Sequence, residues 1–138
     1  MVCIDDPVIK SLLPRLQRPV LTYGFSPDAD FQAFDESQDG VTSNFVVRRK
    51  QHGKDLKICL PLPGRHNVLN ALAAVATASD KGVSDSDIVK GLEDFEGVSR
   101  RFQIHGSFSR DDGNFLLVDD YGHHPSEVKS TIEAVRRG

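Results

Sequence analysis

The stretch PLPGRHNVLNALAAVATASD, residues 61–80, decides how the rest of the chain is interpreted. Pro63 and Gly64 interrupt regular structure, and from Arg65 onward apolar residues recur with the spacing of one helix face. The residues of that face are Val68, Leu72 and Val75. Lys81 and Gly82 then supply the cation and the glycine typical of a helix end. The pattern therefore predicts an amphipathic helix that packs on the core.

Three polar side chains lie in the first turns of this helix, namely His66, Asn67 and Asn70. Residues 66 and 70, like 67 and 70, are neighbours on a helix surface, so an imidazole and two amides cluster at its positive end. Two interpretations are open at this point. The asparagines cap the helix and the histidine is satisfied locally, or the cluster binds a polar ring or a phosphate.

Length and composition limit the classes of function. The 138 residues favour one domain with an appended piece, and a net charge of −3 without a basic stripe excludes nucleic acid as a predicted partner. No apolar run approaches the length needed to span a membrane, and no membrane partner is predicted. Two cysteines form no disulfide framework, which fits a reducing compartment.

The residues before this helix indicate a β-rich segment. Residues 2–4 resemble the end of a buried strand, and Asp6 followed by Pro7 predicts a capped short helix. A β-rich run follows at 20–25, and residues 31–34 are predicted as a short strand on an exposed sheet. Residues 41–50 and 54–60 alternate apolar and polar side chains around a turn, which predicts a β-hairpin with an exposed His52 at its tip.

After the helix, Ser84 is predicted to cap a second helix whose apolar residues are Ile88, Leu92 and Phe95. A strand is expected over 101–108, a turn-rich connector over 110–114, and a helix over 126–135. Between the last two, residues 115–118 form a continuous apolar run, which predicts a strand buried on both faces.

The loop from Asp119 to Pro125 holds two carboxylates, a phenol, a glycine and two imidazoles. A loop between a strand and a helix is where open α/β sheets bind ligands. A metal site is the chemical alternative, but consecutive histidines diverge and one local loop does not close a coordination shell. We therefore predict no metal ligands here.

Five motifs carry a resemblance to a known family: CIDDP, TYGFS, GRHNVLNALAA, GVSRRF and LLVDDYGHHP. In this order they resemble the Mur ligases, over essentially the whole chain. The resemblance implies an α/β fold in which residues 1–109 form the C-terminal part of a P-loop-type central ATPase domain, a mixed sheet with helices and a β-hairpin. Residues 110–138 would begin a Rossmann-like C-terminal domain. The chain would thus be a slice of a longer protein, and the phosphate-binding motif G-x-x-x-x-G-K-[ST] is absent from its sequence.

The resemblance also implies roles for residues on both sides of the predicted boundary. Asn67 and Asn70 would contact the adenine of ATP, with His66 in the same pocket. Arg101 would reach the ATP phosphates and offset charge on the transferred phosphoryl group, a catalytic role.

The remaining roles fall on the loop after residue 118. Asp120 would hold the ribose through its hydroxyls, Tyr121 would border the nucleotide, and His123 would lie beside the incoming amino acid as a second catalytic residue. For Asp119 and His124, a structural hydrogen bond and a functional role stay equally open.

The implied activity is ATP-dependent joining of L-alanine to UDP-N-acetylmuramate through an acyl phosphate, in peptidoglycan synthesis and thus in cell shape and division. The expected partners are these two substrates and ATP, with Mg²⁺ ligands outside this chain, in the cytoplasm. The alternatives are a ligase that recycles murein tripeptide and a nucleotide-binding module without chemistry. The chain alone is expected to be inactive and to self-associate through an exposed apolar patch.

Overall fold

The computed structural model describes residues 1–51 and 53–137. The strands are β1 (Val2–Cys3), β2 (Thr22–Gly24), β3 (Phe31–Asp39), β4 (Thr42–Arg49), β5 (Leu56–Leu60), β6 (Gln103–Arg110) and β7 (Gly113–Asp119). The helices are α1 (Pro7–Leu12), α2 (Arg65–Asp80), α3 (Asp85–Glu93) and α4 (Pro125–Arg137), with a 3₁₀ turn at Leu13–Arg15. The prediction made for His52 lies outside the described residues.

Strands β1 to β5 form one mixed sheet in sequence order. The first three strands are parallel, whereas β3, β4 and β5 are antiparallel neighbours. The predicted hairpin is confirmed, because β4 pairs with β5 from Ser43 opposite Leu60 to Val47 opposite Leu56. An α/β fold with a mixed sheet, helices and a β-hairpin is thus what the chain adopts.

The core lies between this sheet and α2. Alternating residues of β4 and β5 point to one side, and the predicted face of α2 packs against them. Every member of that face is fully buried: Val68, Leu72 and Val75. Helix α3 adds Ile88, and the buried Arg49 of β4 donates to both carboxylate oxygens of Asp85, at 2.7 and 2.8 Å, which ties α3 to the sheet.

Helix ends follow the predicted capping chemistry. The Asp6 carboxylate accepts from the backbone N–H groups of Val8 and Ile9, and the Ser84 hydroxyl accepts from that of Asp87. Helix α3 nevertheless ends at Glu93, so Phe95 lies beyond the helix in which it was predicted.

Strand β3 is longer than predicted, and one of its faces is buried rather than exposed. Phe31 and Ala33 belong to the core, and the strand continues to Asp39. Its pairing with β4 shifts between Phe34 and Ser37, where β3 has one extra residue. This β-bulge includes Asp35, whose φ of 53° is left-handed.

Strands β6 and β7 form a separate antiparallel hairpin. The predicted boundary near Arg110 falls at the turn of this hairpin, and the division into two domains stays a prediction. The continuous apolar run of β7 is not buried on both faces, because Leu116 is 47% exposed and Leu117 is 46% exposed. Among the described residues β7 pairs only with β6, which leaves its apolar side chains uncovered.

Over the described ranges 1–51 and 53–137, no helix combines the length and the apolar character needed to cross a lipid bilayer.

The buried face of α2 predicts the effect of truncating Leu72. Leu72→Ala should lower the free energy of unfolding by about 2–5 kcal/mol, because the cavity left in a packed core is only partly refilled. The matched variant Leu16→Ala, at a leucine that is 47% exposed, should cost less than about 0.5 kcal/mol. Urea unfolding followed by circular dichroism measures both, and equal losses would contradict the proposed core.

Candidate functional site

Helix α2 begins at a close contact with α4. Gly64, the residue before the helix, has a φ of 95°, which favours glycine. A Cβ atom on Gly64 would lie 2.9 Å from Cε1 of His66 and 3.0 Å from the Cβ of Ala134 in α4. The missing side chain therefore lets α4 and the His66 ring approach the start of α2 together.

The two asparagines of α2 differ in their use. The Asn67 amide Nδ2 donates to the Pro63 carbonyl oxygen at 2.8 Å, so part of its hydrogen-bonding capacity holds the helix start. Asn70 is exposed, and its side chain forms no hydrogen bond with any residue in 1–51 or 53–137. Local capping thus uses one N–H of the Asn67 amide and leaves the Asn70 amide available to bind a ligand.

Asp120 follows β7 and is held by backbone donors. Its carboxylate accepts from the Phe102 N–H at 2.9 Å and from the Gly122 N–H at 2.7 Å. Burial raises the pKa of this carboxyl. The two backbone bonds, a further bond from Thr131 and the nearby Arg101 guanidinium lower it by more, so the pKa lies below its ordinary 3.8. Asp120 is therefore ionised at neutral pH and fixed in place.

Arg101 lies in the turn that precedes β6. Its neighbours Arg100 and Phe102 have left-handed φ values of 60° and 50°, and the Tyr121 N–H donates to the Arg100 carbonyl oxygen at 2.7 Å. The strand predicted from residue 101 therefore begins only at Gln103. In the described part of the chain, the Arg101 guanidinium has no carboxylate within 4.0 Å.

These segments surround one cavity of about 900 Å³. Five of the seven predicted site residues line it: His66, Asn67, Asn70, Arg101 and Asp120. They come from α2, from the turn before β6 and from the loop after β7, which are far apart in the sequence. An apolar wall formed by α2 and α3 completes one side, and the first two turns of α4 complete the other.

Sequence reasoning missed the contribution of α4, which lines the cavity with Ser126, Glu127, Ser130 and Thr131. Glu127 accepts from the backbone N–H groups of His123 and His124, at 3.2 and 3.1 Å, and these bonds lower its pKa. Glu127 lies three residues after His124, the spacing at which a glutamate can bind the backbone N–H groups at a helix start, so the sequence indicated this contact but not the place of α4 beside the cavity.

Tyr121 and His123 are close to each other but do not line the cavity. Tyr121 is 52% exposed, the Arg100 guanidinium lies 5.0 Å from its ring centroid, and the His123 ring meets it edge-on at 5.4 Å. His123 lines a separate open groove along α4.

The two residues left open, Asp119 and His124, form local contacts. An Asp119 carboxylate oxygen lies 3.6 Å from Nε of Arg100, and the His124 ring Nδ1 lies 2.8 Å from the Ser126 hydroxyl. Nowhere in residues 1–51 and 53–137 do three or more His, Cys, Asp or Glu side chains form a group able to hold a metal ion.

His66 is the titratable group at the centre of the site. Burial lowers its pKa from the ordinary 6.5, the Asp120 carboxylate opposes this shift, and the Arg101 guanidinium adds to it. The His66 ring is therefore neutral at pH 7 and presents one donor and one acceptor nitrogen.

The lowered pKa of His66 predicts a loss of stability on acidification. The unfolded chain binds a proton at residue 66 more readily than the folded chain, so the free energy of unfolding falls as the pH falls through 6.5. Asp120 and Glu127 do not contribute there, because their lowered pKa values lie below 3.8 and 4.5. Urea unfolding at about pH 7.5 and about pH 5.5 should show a smaller loss for His66→Gln than for the wild type. Equal losses would contradict the assignment.

Residues 1–78 match the family model described as the Mur ligase middle domain. The solved structure of the UDP-N-acetylmuramate–alanine ligase MurC from Thermotoga maritima is 31% identical, with a TM-score of 0.71 over 85% of this chain and 26% of that chain. MurF from Acinetobacter baumannii is 29% identical, with a TM-score of 0.71 over 86% of this chain and 24% of that chain.

MurF from Thermotoga maritima, solved in complex with ADP, shares the fold with a TM-score of 0.77 and 22% identity, over 99% of this chain and 30% of that chain. The chain therefore spans about a quarter to a third of the length of the ligases that it resembles. Since the family model matches more than half of the residues, the chain belongs to the Mur ligase family.

Proposed function

We propose that the cavity binds the adenosine part of ATP. We further propose that a longer protein containing this chain joins L-alanine to UDP-N-acetylmuramate. One observation carries the proposal: His66, Asn67, Asn70, Arg101 and Asp120, to which the resemblance gives roles in one nucleotide site from three motifs far apart in the sequence, line a single cavity.

The helix side of the cavity suits an adenine ring. The Asn70 amide is available, and Asn67 keeps its carbonyl oxygen and one N–H after its bond to Pro63. An amide both donates and accepts, so it can match the donor and acceptor atoms on one edge of adenine. The apolar wall of α2 and α3 can cover the faces of a flat base.

The opposite side suits a ribose and its phosphates. The ionised Asp120 carboxylate accepts two backbone N–H bonds and a bond from Thr131, which leaves one of its roughly four lone-pair sites to accept from a ribose hydroxyl. The Arg101 guanidinium has no carboxylate within 4.0 Å among the described residues, and its planar fork fits phosphate oxygens.

The proposed reaction requires activation of a carboxylate. In the longer protein, the lactyl carboxylate oxygen of UDP-N-acetylmuramate attacks the γ-phosphorus of ATP and displaces ADP. The L-alanine amine then attacks the carbonyl carbon of the acyl phosphate, and inorganic phosphate leaves. This chain would hold the nucleoside and, through Arg101, offset phosphoryl charge. The Mg²⁺ ligands are proposed to lie outside this chain.

Tyr121 and His123 keep their proposed roles, beside the nucleotide and beside the amino acid. Both lie on the loop that carries Asp120, outside the cavity. The resemblance to the alanine-adding ligase at 31% identity supports L-alanine as the proposed substrate.

Nucleotide titration by isothermal calorimetry tests the proposal. We expect weak binding of ATP, ADP, AMP and adenosine, because the sequence lacks the phosphate-binding motif. Asn70→Ala should weaken all four roughly tenfold by removing hydrogen bonds to the base. Arg101→Ala should weaken ATP and ADP only, and the matched variant Arg110→Ala, at the far end of β6, should change nothing. Equal affinities of wild type and Asn70→Ala would contradict the adenine assignment.

A second measurement concerns catalysis. The chain by itself should release no phosphate from ATP in response to UDP-N-acetylmuramate and L-alanine, because no loop in its sequence matches the motif that cradles the transferred phosphates. A malachite-green assay with and without the two substrates measures this. Substrate-dependent release would show that the chain carries the chemistry without that motif.

A further inference from the structure

The β-bulge in β3 changes which side chains of that strand face α2. Before the bulge the odd-numbered residues Phe31 and Ala33 are buried against the helix. The extra residue inverts the alternation, and from Asp35 onward the odd-numbered residues 35, 37 and 39 are exposed. Glu36 and Gln38 therefore lie on the side that faces α2.

Cross-strand pairing confirms this inversion. Gln38 pairs with Ser43 of β4, which is buried and donates to the Leu62 carbonyl oxygen just before α2 at 2.7 Å. Residues opposite each other in an antiparallel pair point to the same side of the sheet. Without the extra residue, position 38 would point away from α2.

Gln38 uses its whole side-chain amide to join three segments. Its Oε1 accepts from the Gly64 N–H at 3.2 Å, at the start of α2. Its Nε2 donates to the carbonyl oxygens of Gly40 and of Ala134 in α4, each at 3.0 Å. Ala134 lies in the last turn of α4, where helix carbonyls lack partners within the helix. Gln38 thus bonds to both helices at the point where they meet.

Glu36 adds charge pairing at the same junction. Its carboxylate lies 2.6 Å from a guanidinium nitrogen of Arg65 in α2 and 3.8 Å from one of Arg137 in α4. The Glu36 side chain is only 17% exposed, so solvent screens these interactions less than those of a surface pair. Glu36 and Gln38, which both lie on the helix-facing side of β3, thus each connect α2 with α4.

We propose that Gln38, with Glu36, is a positioning residue that holds α4 against the start of α2 and so sets the separation of the two cavity walls. Gln38 binds the last turn of helix α4, and the first turns of α4 line the cavity opposite Asn67 and Asn70. Because a helix moves as one unit, holding its last turn helps to position Glu127 and Thr131 in its first turns. The effect on nucleotide affinity rests on the proposed function, whereas the effect on α4 does not.

Hydrogen exchange of the whole chain tests the proposal without nucleotide. Gln38→Met removes the amide while keeping the length of the side chain. Amides of α4 should then exchange roughly tenfold faster, because α4 opens more often, while amides in residues 68–80 of α2 stay unchanged. Gln32→Met is the matched control, since Gln32 lies on β3 before the bulge and donates to Phe25 but not to α4. Unchanged α4 exchange in Gln38→Met would overturn the proposal.

A second variant guards against general loss of structure. Gln38→Glu keeps the acceptor for the Gly64 N–H but lacks the N–H donors that reach Ala134 and Gly40, so it should release α4 as Gln38→Met does. ATP titration then separates the two proposals. Both variants should bind ATP at least roughly threefold more weakly than the wild type and Gln32→Met. Faster α4 exchange with unchanged ATP affinity would overturn the positioning role. A wild type that binds no ATP would refute the proposed function, and hydrogen exchange alone would then test whether Gln38 holds α4.

Discussion

The close approach of α4 to the first turn of α2 is the constraint on which the site depends. It requires a residue without a side chain at position 64, because a Cβ there would lie about 3 Å from both His66 and Ala134. Once α4 lies this close, its first turns face the polar end of α2 across the cavity. The Gly64 N–H also donates to Oε1 of Gln38, so one residue provides both the space for α4 and a hydrogen bond at this junction.

Asp120 shows how one side chain can serve structure and binding together. Its bond from the Phe102 N–H joins the loop after β7 to the turn before β6, which carries Arg101, and its bond from the Gly122 N–H fixes the loop itself. The same bonds, with the one from Thr131, favour the ionised carboxylate and leave it lone-pair capacity for one further donor. A structural role for Asp120 is therefore no argument against a ligand, because the bonds that fix the carboxylate also prepare it to accept from a hydroxyl group.

The sequence predicted the elements whose signals are local. Helix α2, the caps at Asp6 and Ser84, and the β4–β5 hairpin follow from periodicity and turn chemistry, and the structure confirms them. The bulge in β3 could not be predicted, because it depends on the pairing of two strands and not on the residues of one. For the same reason residues 115–118 were wrongly expected to be buried on both faces, since burial depends on neighbours that an apolar run does not specify.

The charges around the cavity bear on which part of a nucleotide the proposed site would contact. Asp87, Asp120 and Glu127 line it together with a single arginine, Arg101. Each carboxylate is already bound by a protein donor: Asp87 by the Ser84 hydroxyl, Asp120 and Glu127 by backbone N–H groups. A wall with three carboxylates and one guanidinium attracts phosphates weakly, whereas neutral amides, a neutral imidazole and fixed acceptors suit a base and a ribose. For the proposed nucleotide site, this lining favours contacts with the nucleoside, and Arg101 is the one cation among the described lining residues that can meet the phosphates.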